Sequence, residues 1–403
     1  MKKMFLFLAT LSLVILLTAC GKATSPLVIS KIYGARAMSD NVIELYNPSD
    51  KDIELGKYSL QFYTNSSKEV GKTFALSGTV KANSYFAISG PSFSKSDYAT
   101  LIDLKLPENL PYNGNDAIEL VLNKTSIDLV GYNAGMSIAF SERLTLIRLG
   151  NKKDYAPSAT FDPHTFIYYL PELFEYLKND NYEIKTLEDL YKGPKLDDRY
   201  KELSFADPDT PSIGYGGAVL VENTSIADGD TASFKASNGF SGGSMRYYYI
   251  NTPEVDNQYT SAEPWGYVAS KYNKKYLLVN SSTKEIYVQS IPGVNLKETN
   301  GRSLGLVWVN GHLSQFLIVS EGLTERVGST YTESDLQLHY KNVPYLTFLR
   351  FAEDRASDNG WGVYGYPIKV DGEKSPDWSY TNNKNTTTDP VWKPHLTLPW
   401  ETN

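Results

Sequence analysis

Two arginines and several oxygen-bearing side chains follow one another in the second half of the chain, and together they could cut a phosphodiester. The acidic turn Asp228-Gly229-Asp230-Thr231 comes first, and Arg246 follows on an apolar, aromatic run. The segment Asn251-Thr252-Pro253-Glu254 and the pair Gly301-Arg302 complete the set. A phosphodiester is negatively charged and gains charge in the transition state of hydrolysis. Catalysis therefore needs cations at the phosphate oxygens and an activated water.

The residue types fit these needs, although each motif alone has an ordinary structural interpretation. Arginine has a planar fork that gives two aligned donors to phosphate oxygens. A lone Asp-Gly-Asp-Thr is a common turn, and Arg246 or Arg302 alone could be a solvated surface charge. The order of the motifs, with Pro264-Trp265-Gly266 and Ala269 between them, favours a shared function.

This order and spacing, from about residue 227 to 365, resemble the staphylococcal nuclease-like family. The resemblance implies that Arg246 and Arg302 are the two catalytic arginines, and that Glu254 orients or deprotonates the attacking water. It implies that Asp230 binds calcium, as does the backbone carbonyl of Thr252. Ca²⁺ is then the expected cofactor. DNA, and RNA as a second substrate, would be cut to give 3′-phosphate ends.

One position departs from the family pattern. The family usually has a second aspartate where this chain has Asn251. An amide oxygen can coordinate calcium but brings no negative charge. We therefore expect a metal site of Asp230, Asn251 and Thr252 with reduced affinity, and the preferred ion stays open. Tyr331 is a possible counterpart of a family tyrosine near the phosphate.

The N-terminus has the pattern of a bacterial lipoprotein. Lys2 and Lys3 precede an apolar run, residues 4–17, that is too short for a stable membrane span. The run ends in Leu17-Thr18-Ala19-Cys20-Gly21, which resembles a lipobox. We expect a signal peptide over 1–19, a lipid on Cys20, a tether over 20–26, and a place on the extracellular face of the cell membrane. The alternative is an incidental free thiol.

Cys20 is the only cysteine of the chain, and this excludes several classes of protein. Lipidation of Cys20 would leave the mature protein with no thiol, so it could not be a disulfide scaffold, a thiolate metal site or a cysteine enzyme. The four histidines are far apart in sequence and lack metal-ligand spacing.

The first half of the chain predicts a β-sandwich. Residues 27–149 contain many short apolar runs with turn signals between them, which is typical of an antiparallel sandwich. Glu44-Leu45-Tyr46-Asn47-Pro48, Ile53-Glu54-Leu55 and Asn115-Asp116-Ala117-Ile118-Glu119-Leu120 resemble the lamin tail domain, which implies an immunoglobulin-like fold. The predicted fold is mainly β. It comprises this sandwich with a helical insertion, followed by an α+β OB-like five-stranded barrel with helices.

The 403 residues exceed what one core usually serves, so we divide the chain. The sandwich covers residues 27–206, with the insertion at about 161–205; 207–217 is a Pro/Gly/Asp-rich linker. The nuclease-like domain covers 218–365, and 366–403 is an extended polar tail. Within the insertion, a helix is predicted from apolar residues at three- and four-residue steps, and Thr186 is predicted to start a second helix. The apolar residues are Ile167, Leu170, Leu173, Phe174 and Leu177.

The net charge leaves two functions open. A charge of −7 opposes high-affinity binding of nucleic acid, whereas an enzyme that releases its product needs only local positive charge. The first interpretation is a membrane-anchored, calcium-dependent nuclease. The alternative is a non-catalytic cell-surface lipoprotein that binds a polymer or a partner through the sandwich and a degenerate barrel.

Overall fold

The structure is a computed structural model that describes residues 25–135, 139–256, 262–263, 265–278, 284–324, 326–328, 330–365 and 393–401. The predicted signal peptide, Cys20 and residues 366–392 of the predicted tail lie outside these ranges. Within them, no helix has the length and apolar character needed to cross a membrane.

The first half of the chain is a sandwich of two antiparallel-rich sheets. One sheet has the strand order β12-β11-β1-β2-β7-β8, and the other has the order β10-β9-β4-β5. Their inner side chains, such as Ile32, Leu45, Leu60 and Leu120, belong to one buried apolar core, which confirms the predicted sandwich. The strands are β1 Val28–Tyr33, β2 Val42–Asn47, β3 Ile53–Glu54, β4 Tyr58–Tyr63, β5 Lys72–Ala75, β6 Thr79–Val80, β7 Ser84–Ser89, β8 Leu104–Lys105, β9 Ala117–Leu122, β10 Thr125–Val130, β11 Thr145–Arg148 and β12 Phe166–Tyr169.

The helix predicted across residues 167–177 is wrong. β12 instead pairs antiparallel with β11 and extends the larger sheet. Residues Phe174–Tyr176 form only a short 3-10 turn. The run Phe166-Ile167-Tyr168-Tyr169 is aromatic and β-branched, which suits a strand, and Pro171 cannot donate a helical hydrogen bond. The apolar residues at helical spacing instead belong to two elements, β12 and the 3-10 turn, and both elements face the core.

The second helix of the insertion is confirmed. Helix α1, Leu187–Tyr191, begins after Thr186, whose hydroxyl accepts the N–H of Asp189. The Asp189 carboxylate in turn accepts the N–H of Thr186, so two donors of the first turn are satisfied reciprocally.

The insertion also covers the outer face of the larger sheet. Lys31 and Glu44 are both buried there and form an ion pair of 2.9 Å. The Nζ of Lys31 also donates to the carbonyl oxygens of Tyr176 and Asn179, at 2.9 and 2.7 Å. A buried charge needs such partners, since leaving it unpaired is costly. Residues 176–179 therefore shield this face of the central strands β1 and β2 from solvent.

The second half of the chain is a twisted sheet with helices packed against it, in agreement with the predicted OB-like domain. A seven-stranded sheet has the order β13-β18-β19-β16-β15-β14, with β20 beside β19, and it extends the predicted five strands. Short pairs β17-β21 and β22-β23 lie outside it. The strands are β13 Ala218–Leu220, β14 Asn223–Ile226, β15 Thr231–Phe234, β16 Gly243–Tyr247, β17 Ile250–Asn251, β18 Ile286–Gln289, β19 Ser303–Val309, β20 His312–Leu313, β21 Arg326–Val327, β22 His339–Tyr340 and β23 Val343–Pro344.

Among the residues of this domain that the structure describes, four helices complete it. α2 spans Gly266–Tyr272 and continues as a π-helical turn, Asn273–Leu278. α3 is Ser314–Ser320, α4 is Glu333–Gln337 and α5 is Tyr345–Asp358. The helices expected to accompany the predicted OB-like barrel are thus present. The apolar, aromatic run that carries Arg246 forms two strands, because Tyr249 has a positive φ of 76° that ends β16 before β17 begins.

The two halves share one continuous apolar core. The Oγ1 of Thr347 on α5 donates to the carbonyl oxygen of Tyr168 on β12 at 3.0 Å. An ion pair of 2.8 Å joins His164 to Asp354 across the same boundary. The sandwich is therefore packed against the nuclease-like half.

The segments predicted as linker and tail also make specific contacts. Within the 207–217 linker, the N–H of Gly216 donates to Ser290 Oγ at 2.9 Å. In the described part of the tail, Leu398 is buried. The backbone N–H groups of His395 and Leu396 donate to the Glu321 carboxylate at 2.7 and 3.0 Å. The described end of the tail is thus docked on the domain.

Candidate active site

The acidic turn between β14 and β15 is held in place by α2. Asp228 accepts the N–H of Asp230 at 3.1 Å, which closes the turn. A side chain at Gly229 would overlap Ala269 on α2 and Thr252, so glycine is required by the close approach. The Nδ2 of Asn273, just after α2, donates to the carbonyl oxygen of Asp228 at 2.9 Å. The turn therefore presents Asp230 from a fixed backbone.

The Asp230 carboxylate is fully buried and carries several hydrogen bonds. Its Oδ1 accepts from Arg246 Nη1 at 2.5 Å and from Thr231 Oγ1 at 3.1 Å. Its Oδ2 accepts the N–H of Thr252 at 2.7 Å. Burial, and after it the neighbouring charge of Asp228, raises the pKa of Asp230 to about 7, although Arg246 opposes this shift. Asp230 is therefore a constrained carboxylate with a surplus of negative charge around it.

Arg246 connects the predicted site residues. It lies on β16 opposite Thr231 of β15, which directs its side chain over the acidic turn. Its Nη1 contacts Asp230, and its Nη2 donates to Asn251 Oδ1. The same Nη1 lies 3.8 Å from Glu254 Oε1. One guanidinium thus brings together the predicted metal ligands and the predicted base.

Arg302 approaches the same turn from a parallel strand. It directly precedes β19, which pairs in parallel with β16. Its Nη1 lies 3.5 Å from Thr231 Oγ1, and its Nε donates to Glu298. One third of its side chain is exposed, so a ligand can reach it. The two arginines predicted from the sequence therefore both lie next to Thr231.

Glu254 lies at the solvent edge of the site, with 41% of its side chain exposed. Partial burial, followed by the charge of Asp228, raises its pKa, against the effect of Arg246. Its N–H donates to the Glu263 carboxylate at 2.8 Å. A Cβ at Gly266 would overlap the carbonyl oxygen of Glu254, so this glycine fixes the loop. A carboxylate with a raised pKa is a better proton acceptor near neutral pH.

The donor set fits a weakly bound hard cation. Asp230, Asn251 and the carbonyl of Thr252 offer only oxygen, which is what Ca²⁺ prefers. Among the described residues, no three His, Cys, Asp or Glu side chains form a metal cluster. The Asp230 and Asn251 oxygens that would hold a cation are the oxygens that hold Arg246 in this structure.

The charge balance of the site supports the same conclusion. Three further acidic residues lie close to Asp230, Glu254 or the two arginines, as their direct contacts and electrostatic effects show. The site therefore holds five carboxylates and two guanidinium groups. Such a site repels a phosphate unless a cation offsets the surplus. The three additional acids are Asp228, Glu263 and Glu298.

Sequence reasoning missed these three residues as part of the site. Asp228 was within the recognised turn, but only Asp230 was assigned a role. Glu298 lies four residues before Arg302, a spacing that could have indicated an ion pair. No sequence signal placed Glu263 beside Glu254. Tyr331 is buried and its hydroxyl hydrogen-bonds Thr347.

Comparison with known families agrees with this geometry. Residues 244–343 match the family model of the staphylococcal nuclease homologues, and residues 21–134 match that of the lamin tail domain. The chain combines a lamin tail domain with a staphylococcal nuclease-like domain. The nuclease match includes Arg246, Glu254 and Arg302, and it ends before α5.

A bacterial protein is similar to part of this chain. "Endonuclease YncB" from Bacillus subtilis (strain 168) is 30% identical over 125 residues, which are 30% of this chain and 53% of that protein. The match therefore spans about half the length of this relative.

Proposed function

We propose that this chain is a calcium-dependent endonuclease, held on the outer face of the cell membrane, that hydrolyses DNA and RNA. One observation carries the proposal: the Arg246 guanidinium contacts Asp230 and Asn251 and lies 3.8 Å from Glu254. The groups needed to bind a phosphate, hold a cation and activate water are thus in one place.

The arginines bind and stabilise the reacting phosphate. Each guanidinium can give two aligned hydrogen bonds to phosphate oxygens, and these strengthen as charge builds up in the transition state. Arg246 is the more buried of the two, with 14% of its side chain exposed, so its bonds are better shielded from water. Arg302, whose Nη1 lies 3.5 Å from Thr231 Oγ1, supplies the second guanidinium.

Glu254 accepts the proton of the attacking water. The water oxygen forms a bond to phosphorus while the P–O5′ bond breaks, and the leaving O5′ takes up a proton from the solvent. This direction of cleavage leaves a 3′-phosphate, as the family resemblance implies. The raised pKa of Glu254 brings it closer to the operating range of a general base.

Asp230, Asn251 and the carbonyl of Thr252 would hold the calcium ion. When bound, Ca²⁺ supplies positive charge that offsets the surplus of carboxylates and draws in the phosphate. With a single carboxylate among its proposed ligands, the site suits the calcium concentrations outside cells, about 10⁻⁴–10⁻³ M.

Replacing Asn251 with aspartate is expected to tighten calcium binding. The change adds one unit charge at a ligand position, and ligand charge is a main determinant of calcium affinity. We expect a lower dissociation constant by calorimetry and a lower calcium concentration for half-maximal cleavage. Maximal turnover can move either way, because the added charge also repels phosphate. An unchanged or higher dissociation constant would show that Asn251 is not a ligand.

Replacing Cys20 with alanine is expected to leave an unprocessed protein or one released from the membrane. The motivation is the sequence Leu17-Thr18-Ala19-Cys20-Gly21 after an apolar run. Several acyl chains hold a protein at a membrane far better than one chain does. Detergent-phase partitioning and acyl labelling should both be lost in the variant. Unchanged partitioning and labelling would count against lipidation.

The substrate range is tested by incubating the purified chain, in calcium, with single-stranded DNA, duplex DNA and RNA. The proposal expects cleavage of single strands and of locally opened duplex, and cleavage of RNA. Binding of these polymers without cleavage of any of them would favour the non-catalytic alternative.

A further inference from the structure

A cleft of about 400 Å³ lies between the lamin tail domain and the nuclease-like domain. Tyr132 and His164 line it from the sandwich side, and Arg326, Tyr331 and Arg350 line it from the nuclease side. Both walls are built by residues that the proposed catalytic steps do not use. The walls therefore form a composite surface that neither domain has alone.

The cleft begins next to the candidate active site. β17 and β21 are antiparallel, and Asn251 is paired directly with Arg326. Such partners have Cα atoms about 4.5–5.5 Å apart. Asn251 in turn accepts a hydrogen bond from Arg246. A polymer bound at Arg246 can thus continue to Arg326 and into the cleft.

The cleft offers two guanidinium groups. Arg326 is exposed and forms no ion pair within the described part of the chain. Arg350 lies over the Tyr331 ring, 4.3 Å from its centre, and its Nε donates to Gly328. Arg350 is half-buried and lines the cleft, where its guanidinium can pair with a phosphate oxygen.

The acids of the cleft are already engaged. Glu353 Oε1 accepts from the Tyr364 hydroxyl at 2.7 Å and from the N–H of Val327 at 3.3 Å. Asp354 forms the ion pair with His164. The cleft therefore presents two guanidinium groups and aromatic surface beside a hydrogen-bonded Glu353 and a paired Asp354.

Tyr132 is the aromatic surface of the sandwich wall. Its ring is half-buried and is held by edge contacts with Phe140 and Phe161, at centroid distances of 6.1 and 5.2 Å. These contacts fix its orientation before any ligand binds. Unpaired bases stack on such rings, whereas the bases of a duplex are already stacked.

We propose that this cleft is a subsite for an unpaired segment of the nucleic-acid substrate, with the lamin tail domain as one of its walls. Arg326 and Arg350 bind phosphates beyond the one that is cut, and Tyr132 supports a base. The inference rests on the proposed nuclease function. It gives the lamin tail domain a direct part in substrate binding.

The test measures binding of single-stranded DNA to the full chain in calcium, with every variant built on Glu254→Gln so that cleavage does not interfere. A strand of about 12 nucleotides, within the range of OB-fold sites, is compared with a dinucleotide. In Tyr132→Ala and Arg326→Ala, the longer strand should lose affinity by about fivefold or more relative to the dinucleotide. Arg326→Ala should also reduce the slope of log affinity against log salt by about 0.7.

Two substitutions outside the cleft serve as controls. Lys57→Ala removes an exposed charge at the opposite end of the β4-β9-β10 sheet from Tyr132, since Tyr58 pairs with Leu122 and Val130 with Ile118. Tyr215→Ala removes an exposed tyrosine that does not line the cleft. Both controls should bind the longer strand as the wild-type chain does.

The outcomes separate the two proposals. One outcome is that the wild-type chain cleaves DNA in calcium, but the cleft variants bind the longer strand and the dinucleotide as the wild-type chain does. This outcome overturns the subsite proposal and leaves the nuclease proposal intact. A wild-type chain that neither binds nor cleaves DNA overturns both. Tyr132→Ala removes packing against Phe140, so its thermal unfolding is measured as well. Because Arg326 is exposed, its variant should fold normally, and it decides the question if Tyr132→Ala does not fold.

Discussion

Glu254→Gln is expected to lower the turnover number by about 10²–10⁴-fold, the usual contribution of a general base. The amide has nearly the same shape but cannot accept a proton at neutral pH. Glu254 is 41% exposed, and its nearest ion-pair contact is the 3.8 Å approach to Arg246, so the fold should survive. Initial rates of cleavage and thermal unfolding curves measure the two effects separately.

Glu263→Gln is the matched control for this prediction. It makes the same chemical change in the same loop, and the new amide oxygen can still accept the N–H of Glu254. Its effect on turnover should be much smaller than that of Glu254→Gln. A folded Glu254→Gln variant that hydrolyses DNA at nearly the wild-type rate would remove Glu254 from the mechanism.

Arg246→Ala is expected to lower both activity and stability. Loss of a preorganised donor to the transition state costs about 10²–10³-fold in turnover. The change also leaves the buried Asp230 without its ion-pair partner, which costs up to about 3–5 kcal/mol of unfolding free energy. The raised pKa of Asp230 limits this cost, because the carboxyl can take up a proton.

The double variant Arg246→Ala/Asp230→Asn separates these two roles. Removing the buried charge together with its partner should restore much of the stability, since no unpaired charge remains. Activity should stay low, because the arginine is still absent. Arg246→Lys keeps the charge but loses the fork, and it should recover only part of the activity. Wild-type turnover in any of these variants would contradict the assigned role of Arg246.

Much of the site could be predicted because its residues lie in short, contiguous motifs. The turn at 228–231 carries Asp230, and the segment 251–254 carries two proposed metal ligands and the proposed base. Each motif is held by local geometry, such as the required glycine at 229. The charge surplus could not be predicted in the same way. It depends on Glu263 and Glu298, which reach the site through the tertiary fold.

The fold was predictable where local pattern and tertiary context agree. The strands β1, β2, β4 and β9 and the helices α3 and α5 follow clear apolar runs. The segment 167–177 shows the opposite case. Its apolar spacing suits a helix, but its first residues pair with β11 and form the edge strand of the larger sheet. The buried ion pair of Lys31 and Glu44 could not be predicted from the sequence either. Charged residues in a strand normally indicate a solvent-exposed face. These two are buried only because residues 176–179 cover them.

The cleft between the domains could not be predicted from a sequence pattern. Tyr132 and Arg326 are nearly two hundred positions apart, and neither belongs to a motif. Their meeting depends on β12, which bonds to the sandwich on one side and to α5 on the other. The segment that sequence reasoning assigned to a helical insertion is therefore the element that joins the two domains.

The account is tested most directly by the rate of single-stranded DNA cleavage as calcium is removed and restored. We predict that the wild-type chain cleaves in calcium, stops when calcium is chelated and recovers when calcium is added back. Under the same conditions, Glu254→Gln should stay inactive at every calcium concentration. Cleavage that persists in chelator would contradict the calcium site. Binding of DNA without cleavage at any calcium concentration would contradict the nuclease itself.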